Sequence, residues 1–271
     1  MATMANQPTQ IAAITYTIRD FLTTREDYIA SMKKLHDLGF KAIQGGRPAF
    51  FTMEEYKDVL ESNGLMLCSC GGSLDRIRND FDNFVEEIKF FGCDSTSIGA
   101  IPIEYRDTEE GYYALVREFN ALGRKFKDAG IDLMYHNHAQ EFRRFADGKR
   151  GIDILFEGYD PECTKFMIDT HWIHSGGDDV IKWIKKCRGR MHTLHCKDYM
   201  IDPDESITDL GLAPKLFAEV GEGNIDWLSV IRVGREIGVE SYVVEQDETR
   251  RHPLESAKIS FDNLNRFMEE A

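Results

Sequence analysis

Histidines are the residues of this chain best suited to chemistry, and six of its eight fall within residues 136–195. They are His136, His138, His171, His174, His192 and His195. Imidazole binds divalent transition metals and also serves as a general acid or base near neutral pH. The sequence therefore directs the search for a reaction centre to this part of the chain.

The spacing of several of these histidines suits the ends of β-strands. Residues two apart along a strand share a face, and four β-rich runs each carry such a pair of ionisable residues near the carboxyl end. The pairs are His136 with His138, Asp169 with His171, His195 with Lys197, and Glu245 with Asp247. If the four runs are neighbours in one sheet, their imidazole and carboxylate groups meet.

The elements that would position these pairs alternate along the whole chain, which predicts an α/β fold with a parallel sheet. The predicted strands are Ile11–Tyr16, Ala42–Gln44, Leu65–Cys70, Ser95–Ala100, Ile131–His138, Phe166–His171, Met191–Lys197 and Tyr242–Gln246. The predicted helices are Thr24–Leu38, Thr52–Ser62, Leu74–Phe91, Glu109–Ala129, Ile152–Tyr159, Asp179–Cys187, Asp226–Ile237 and Pro253–Met268. Eight strand–helix units close most economically into a (β/α)8 TIM barrel. An open doubly wound sheet is the rival, but no early strand leads into a G-x-G-x-x-G turn.

Length and composition fit one barrel. The chain has 271 residues, of which 42% are hydrophobic and 30% charged, a balance typical of a globular protein and not of a disordered one. No linker-like or low-complexity segment divides it. We therefore expect residues 1–271 to form a single TIM-barrel domain, with residues 1–10 as a flexible N-terminal segment.

The net charge and the N-terminal sequence disfavour several classes of partner. Asp and Glu outnumber Lys and Arg by 47 to 33, and the formal net charge of −14 disfavours a nucleic-acid partner. The N-terminus lacks the pattern of a signal peptide, and no apolar run approaches the ~20 residues of a membrane span. The six cysteines are scattered, as in a reduced cytoplasmic protein. We expect a cytoplasmic protein without membrane or nucleic-acid partners, while a homo-oligomer remains open.

Convergence of the four strand ends predicts a metal site. Catalytic residues of TIM barrels lie at the carboxyl ends of the strands. Buried carboxylates on adjacent strands repel one another, and a divalent cation removes that repulsion while accepting neutral imidazole as a ligand. Simpler interpretations compete for single residues, since a strand-end histidine is often structural and Asp169 can cap the following helix.

Five segments of the C-terminal half carry a family resemblance. They are Tyr135–His138, Ile168–Trp172, Leu194–Asp198, Val220–Trp227 and Val243–Asp247. Together they resemble the xylose isomerase-like TIM barrels of the sugar isomerase/epimerase superfamily, which also includes inosose dehydratases and endonuclease IV. The resemblance implies one metal ligand from each of strands five to eight. These ligands fall on His136, Asp169, His195 and Glu245.

One ligand position departs from the family pattern. The family has a glutamate where this chain has His136, and Glu141 lies just beyond that strand as an alternative source of a carboxylate. In keto-sugar epimerases the missing glutamate is paired with that of strand eight as acid and base. The Tyr-His run of strand five and the Glu-Gln-Asp run of strand eight look closer to inosose dehydratases.

The resemblance implies a function and its cofactor. We expect a metal-dependent isomerase or epimerase that acts on a keto-sugar or related polyol through an enediolate. One divalent ion is expected, with Mn²⁺ preferred and Mg²⁺, Co²⁺ or Zn²⁺ as alternatives. A dehydratase or lyase that eliminates a β-substituent from a keto-inositol or 3-keto-glycoside is the alternative, and a non-catalytic barrel subunit is a remote one. Endonuclease chemistry is disfavoured by the net charge.

The predicted strand ends and the family resemblance together give candidates for catalysis and for substrate binding. The catalytic candidates are Glu245, His138, Glu141 and Lys197. The substrate-binding candidates are His171, Trp172, Glu222 and Tyr16. Competing interpretations are a surface lysine at the end of its strand for Lys197, a packing role for Trp172 and Trp227, and an ordinary glycine-rich turn around Glu222.

Overall fold

A computed structural model of the chain describes residues 9–204 and 214–271. Eight parallel strands close into a barrel in the spatial order β1-β10-β7-β6-β5-β4-β3-β2. Their bounds are Gln10–Ile14 (β1), Ala42–Gly45 (β2), Met66–Gly71 (β3), Ser95–Ile98 (β4), Asp132–His136 (β5), Thr164–Asp169 (β6), Thr193–Cys196 (β7) and Ser241–Val244 (β10). The predicted (β/α)8 barrel is confirmed.

Helices cover the outside of the barrel. They are Arg25–Asp37 (α1), Met53–Ser62 (α2), Leu74–Asn79 (α3), Phe81–Phe90 (α4), Glu109–Asp128 (α5), Gly151–Gly158 (α6), Thr170–Ser175 (α7), Val180–Lys186 (α8), Trp227–Ile237 (α9) and Pro253–Glu270 (α10). The capping box at Thr52 forms as predicted, because its hydroxyl accepts from the Glu55 amide while the Glu55 carboxylate accepts from the Thr52 amide. None of the helices in the described ranges is long and apolar enough to cross a membrane.

The inner face of the barrel changes character along the strands. A floor of small side chains, Ala12, Ala42 and Val243, is fully buried. Two residues further along the same strands, on the same face, come Gln44 and Glu245. Polar side chains therefore stand above an apolar floor, at the carboxyl end of the barrel.

Strand β6 ends earlier than predicted. It stops at Asp169, whose side chain accepts the Trp172 amide at 2.9 Å and caps α7. The prediction that His171 shares a strand face with Asp169 was therefore wrong, because a capped helix replaces the extended backbone. Strand β1 likewise stops at Ile14, and Tyr16 lies in the 3₁₀ turn Thr15–Phe21.

Other departures concern whole elements. The helix predicted over Leu74–Phe91 is two helices, because Asp80 leaves the helical conformation between them. An antiparallel hairpin of Asp198–Ile201 (β8) and Lys215–Ala218 (β9), absent from the predicted elements, follows β7. Of the expected flexible N-terminal segment, residues 1–8 lie outside the described ranges, whereas Gln10 already begins β1.

Candidate metal centre

Four side chains converge at the carboxyl end of the barrel. His136, Asp169, His195 and Glu245 are all buried, and each offers a ligand atom within 4.8 Å of the others. Asp169 and His136 are the last residues of their strands, whereas Glu245 directly follows β10. The sequence predicted this set, and the structure brings all four together.

The contacts show which atoms face the centre. His136 Nε2 lies 3.3 Å from Asp169 Oδ2 and 3.8 Å from Glu245 Oε2. His195 Nδ1 contacts that same Glu245 oxygen. Asp169 serves two roles at once, since its Oδ1 caps α7 while its Oδ2 faces the centre. The capping interpretation of Asp169 is thus compatible with the metal-ligand interpretation.

Gln44 orients His195 from the opposite side of the barrel. The Gln44 amide nitrogen donates to Ser97 Oγ at 3.2 Å, which leaves its Oε1 to accept from His195 Nε2 at 2.7 Å. With the proton on Nε2, Nδ1 turns its lone pair toward the centre and the Glu245 oxygen there, as in metal-bound histidines whose second nitrogen is held by a neighbour. Sequence reasoning missed Gln44, although an amide inside an otherwise apolar strand is a signal of this kind.

Lys197 is enclosed by carboxylates. Its Nζ lies 3.1 Å from Asp169, 3.3 Å from Glu245 and 3.0 Å from Asp247. Only 1% of its side chain is exposed, so the interpretation as a surface lysine is wrong. Burial alone would lower the pKa of Lys197, but the three carboxylates outweigh burial and raise it. The side chain therefore stays cationic.

The charge of this group calls for a cation. Asp169, Glu245 and Asp247 face a single ammonium, which leaves a formal charge of −2 when the imidazoles are neutral. A divalent ion would neutralise that charge. Two imidazoles and two carboxylates form a mixed nitrogen and oxygen donor set that suits Mn²⁺, Mg²⁺, Co²⁺ or Zn²⁺. The residues present fit the expected ion.

His138 stands beside the centre as a neutral base. Its ring lies 4.9 Å from that of His136 and 5.4 Å from that of Trp172, between centroids. Burial, aided by the neighbouring His136, lowers the pKa of His138 to about 3. Its buried Nδ1 has no hydrogen-bond partner among the described residues.

Glu141 is not brought to the centre. Its carboxylate accepts from the Tyr135 hydroxyl at 2.5 Å and from the His138 amide at 3.0 Å. Tyr135 packs against Phe119 of α5, so this carboxyl lies between the barrel wall and the helices. Burial raises the pKa of Glu141 to about 7. The geometry favours His136 over Glu141 as the ligand from strand five.

An aromatic wall borders the centre on the side of β6 and β7. Centroids of the His171 and Phe217 rings lie 4.6 Å apart, and the Phe217 and Trp172 centroids 5.8 Å apart. The His171 Nδ1 lies 3.2 Å from the Asp198 carbonyl oxygen, which orients the ring. Phe217 belongs to the unpredicted hairpin and was missed for that reason. Trp172 lies 5.2 Å from Lys197 Nζ, so it belongs to this wall.

A cavity of about 360 Å³ opens on the opposite side, over β1 to β4. Its lining includes Gln44, Tyr16 and Arg19 together with several glycines. The Tyr16 ring is half exposed and lies 4.2 Å from the Arg19 guanidinium carbon. Tyr16 is therefore placed at the mouth of the barrel, where a substrate-binding residue is expected.

The glycine-rich segment after β9 is held by a buried carboxylate. Asp198 accepts from the Trp227 indole at 2.6 Å and from the Gly221 amide at 3.0 Å. Trp227 is 1% exposed, which confirms its packing interpretation. A side chain at Gly223 would collide with Asp198 and with the Tyr199 carbonyl. Glu222 lies on this segment, bound to Arg251, and lines a second cavity of about 430 Å³ beside the hairpin.

The chain resembles two named proteins in sequence. The chain is 30% identical over 159 residues to an inosose dehydratase of Clostridium tetani, covering 55% of this chain and 52% of that protein. It is 27% identical over 239 residues to the rhizopine catabolism protein MocC of Rhizobium meliloti, covering 78% of this chain and 72% of that protein. The match to the dehydratase thus spans about half the length of that relative.

Solved structures share the fold. A sugar phosphate isomerase/epimerase from Parabacteroides distasonis superposes with a TM-score of 0.73 at 21% identity, covering 99% of this chain and 98% of that one. The family model for xylose isomerase-like TIM barrels matches residues 32–267. This chain therefore belongs to the xylose isomerase-like TIM barrel family.

Proposed function

We propose that this protein is a divalent-metal-dependent isomerase or epimerase that acts on a keto-sugar or a related polyol. The observation that carries the proposal is the convergence of His136, Asp169, His195 and Glu245 on one buried point. There the carboxylates of Asp169, Glu245 and Asp247 share the single ammonium of Lys197. Such a point binds a divalent ion, and its place at the carboxyl end of a barrel is where chemistry occurs in this fold.

The proposed ligands and their neighbours have separate roles in the reaction. The bound ion would supply Lewis acidity, which stabilises the negative charge that develops when a proton leaves the carbon beside a carbonyl. Glu245 faces the centre with Oε2 and keeps Oε1 beside Lys197, so Oε1 is the proton acceptor in this proposal. The ammonium of Lys197 donates to the substrate oxygen nearest it and holds Glu245 in place.

The surroundings suit a sugar-sized molecule. Trp172 and Phe217 offer aromatic faces on one side, and the cavity of about 360 Å³ lies on the other. Ligand cavities typically begin at about 300 Å³. Neutral His138, whose ring lies beside those of His136 and Trp172, can accept a hydrogen bond from a sugar hydroxyl.

Elimination is the second candidate, and residue 136 favours it. Inversion of a carbon needs two proton-transferring groups on opposite faces, and His136 stands where the sequence resemblance leads one to expect the second carboxylate. A metal-bound imidazole has no free lone pair with which to take that proton. Loss of a β-substituent needs only one base, and one relative of this chain is named an inosose dehydratase.

Proton NMR in D2O separates the candidates. The chelator-stripped protein is given Mn²⁺ and a panel of keto-sugars, keto-inositols and 3-keto-glycosides, and the metal is removed before spectra are taken. Deuterium uptake beside the carbonyl without loss of water or of a substituent indicates isomerisation or epimerisation. A new alkene or released substituent indicates elimination.

Variants tie the activity to the proposed ligands. Glu245→Gln and His195→Ala are each expected to abolish turnover and lower the metal content. Glu141→Gln is the matched control for metal content, because its carboxyl is equally buried but lies outside the centre. Full turnover in either ligand variant, or turnover by wild-type protein in excess chelator, would contradict the proposal.

A further inference from the structure

We propose that Arg19 binds a carboxylate of the substrate, away from the ion, so that the protein acts on a keto-sugar acid and not on a neutral sugar. The inference rests on the proposed function, because it concerns the substrate of the same centre. It deepens that function by naming the charged group of the substrate and the residue that recognises it.

The main chain fixes the Arg19 guanidinium at the mouth of the barrel. Its Nη1 donates to the Tyr16 carbonyl oxygen at 3.0 Å, and its Nη2 donates to the Asp247 carbonyl oxygen at 2.9 Å. The Tyr16 ring lies 4.2 Å from the guanidinium carbon. A guanidinium has five N–H donors, so three remain after these two bonds. The group is therefore held in place and can still bind an acceptor.

Arg19 has no carboxylate partner in the described part of the chain. Within residues 9–204 and 214–271, its hydrogen bonds go to main-chain carbonyls and it forms no ion pair. The Asp247 carboxylate is turned to Lys197, at 3.0 Å from its Nζ. An ion at the centre would balance the carboxylates there and leave the charge of Arg19 as it is. Since a guanidinium is a permanent cation, one positive charge stays available.

One cavity connects Arg19 with the centre. Arg19 and Gln44 both line the cavity of about 360 Å³, and Gln44 binds the proposed ligand His195 at 2.7 Å. Gly99 lines it too, and a Cβ built there would lie 3.7 Å from Nδ1 of His136, another proposed ligand. A molecule in this cavity therefore lies beside proposed metal ligands and beside Arg19.

The charge of the cavity lining favours an anionic group. Among the described residues that line it, Arg19 alone is charged, and the others are glycines or neutral side chains. Arg19 is partly buried, so its charge is screened less than that of an exposed side chain. Arg235 also donates to a main-chain carbonyl, that of Met268, but it lies on α9 outside the barrel. The position of Arg19 thus sets it apart from an ordinary surface arginine.

The single charge favours a carboxylate over a phosphate. A carboxylate carries one negative charge, and its two oxygens match the planar N–H groups of a guanidinium. A phosphate monoester carries about 1.5 to 2 negative charges at pH 7 and has three acceptor oxygens. The described lining offers one cation. A carboxylate is therefore the matched partner.

A matched series of ketoses tests the inference without measuring turnover. D-fructose, D-fructuronate and D-fructose 6-phosphate share the ketone end and differ only at the far end, which is a hydroxymethyl, a carboxylate or a phosphate ester. Each is titrated calorimetrically into the Mg²⁺-loaded protein. D-fructuronate is expected to bind about 10-fold to 100-fold more tightly than D-fructose, and more tightly than D-fructose 6-phosphate.

Variants then assign the preference to Arg19. Arg19→Gln is expected to abolish the advantage of D-fructuronate while leaving Mg²⁺ affinity unchanged. Arg19→Lys keeps the charge and is expected to retain part of the advantage, which separates loss of charge from disturbance of the turn Thr15–Phe21. Arg235→Gln is the matched control, because it removes the same charge outside the barrel and should keep the full advantage.

The outcomes distinguish this inference from the proposed function. If the protein binds no Mg²⁺, the metal proposal fails and this inference fails with it. If Mg²⁺ binds, three results overturn only this inference. They are no gain in affinity from D-fructose to D-fructuronate, tighter binding of D-fructose 6-phosphate than of D-fructuronate, and a preference for D-fructuronate that survives Arg19→Gln.

Discussion

Replacing Lys197 by methionine perturbs the charge balance on which the metal proposal rests. Lysine contributes the only ammonium group within about 3.3 Å of the side-chain carboxylates of Asp169, Glu245 and Asp247 among the described residues. Methionine keeps a similar length without the charge. The variant protein without metal therefore holds three carboxylates that no ammonium compensates.

The expected destabilisation follows from these distances. At about 3 Å and an effective dielectric constant of about 20, one pair of unit charges attracts by about 5 kcal/mol. Much of that attraction is offset by the desolvation of Lys197, which is 1% exposed. Removing one partner of a buried ion pair costs about 3–5 kcal/mol. We expect Lys197→Met to lower the free energy of unfolding of the metal-free protein by that amount.

Urea unfolding in excess chelator measures this loss, and a second series in excess Mn²⁺ measures the response to metal. The variant should gain more from Mn²⁺ than wild type does, because the ion replaces the missing charge and no longer meets the repulsion of the ammonium. Lys182→Met is the control, since that lysine is 69% exposed at 3.9 Å from Asp178 and its loss should cost under about 0.5 kcal/mol. A loss below about 1 kcal/mol for Lys197→Met, or an equal response to Mn²⁺, would refute the reasoning.

Three further predictions concern groups around the centre. Burial raises the pKa of Glu141 to about 7 from 4.5, so near neutral pH the folded chain keeps a proton that the unfolded chain loses. As pH rises from about 4.5 through about 7, wild type should therefore lose about 3 kcal/mol of stability relative to Glu141→Gln. Urea unfolding in chelator at pH 5 and pH 8 measures the difference, and parallel pH profiles would count against it. Gln44→Leu should weaken Mn²⁺ binding about 10-fold to 100-fold, because His195 Nε2 loses its hydrogen-bond acceptor. An unchanged Mn²⁺ affinity in calorimetric titration would contradict this prediction. Trp227→Phe should destabilise the chain by about 1.5–3 kcal/mol because Asp198 loses a donor at 2.6 Å, and an unchanged urea midpoint would show that the bond contributes nothing.

Most of the barrel and the centre could be predicted from local patterns. Strand periodicity placed His195 with Lys197 on one face, and in the structure both side chains reach Glu245. The alternation of strands and helices predicted which ends of the strands meet. These inferences succeeded because the geometry of a parallel strand is set by residues close together in sequence.

The parts that could not be predicted depend on distant contacts. The role of Gln44 arises only when β2 closes against the far side of the barrel and brings it to His195. Phe217 reaches the centre through a hairpin whose short strands carry no strong alternation. The helical position of His171 follows from the cap that Asp169 provides, and the sequence alone left that interpretation open.

Calorimetric titration of the chelator-stripped protein with Mn²⁺ tests the central claim most directly. Wild type should bind one ion per chain. His136→Ala and Asp169→Asn should each bind it much more weakly, while Glu141→Gln should bind it as wild type does. No binding by wild type, or equal binding by all four proteins, would contradict a metal centre formed by His136, Asp169, His195 and Glu245.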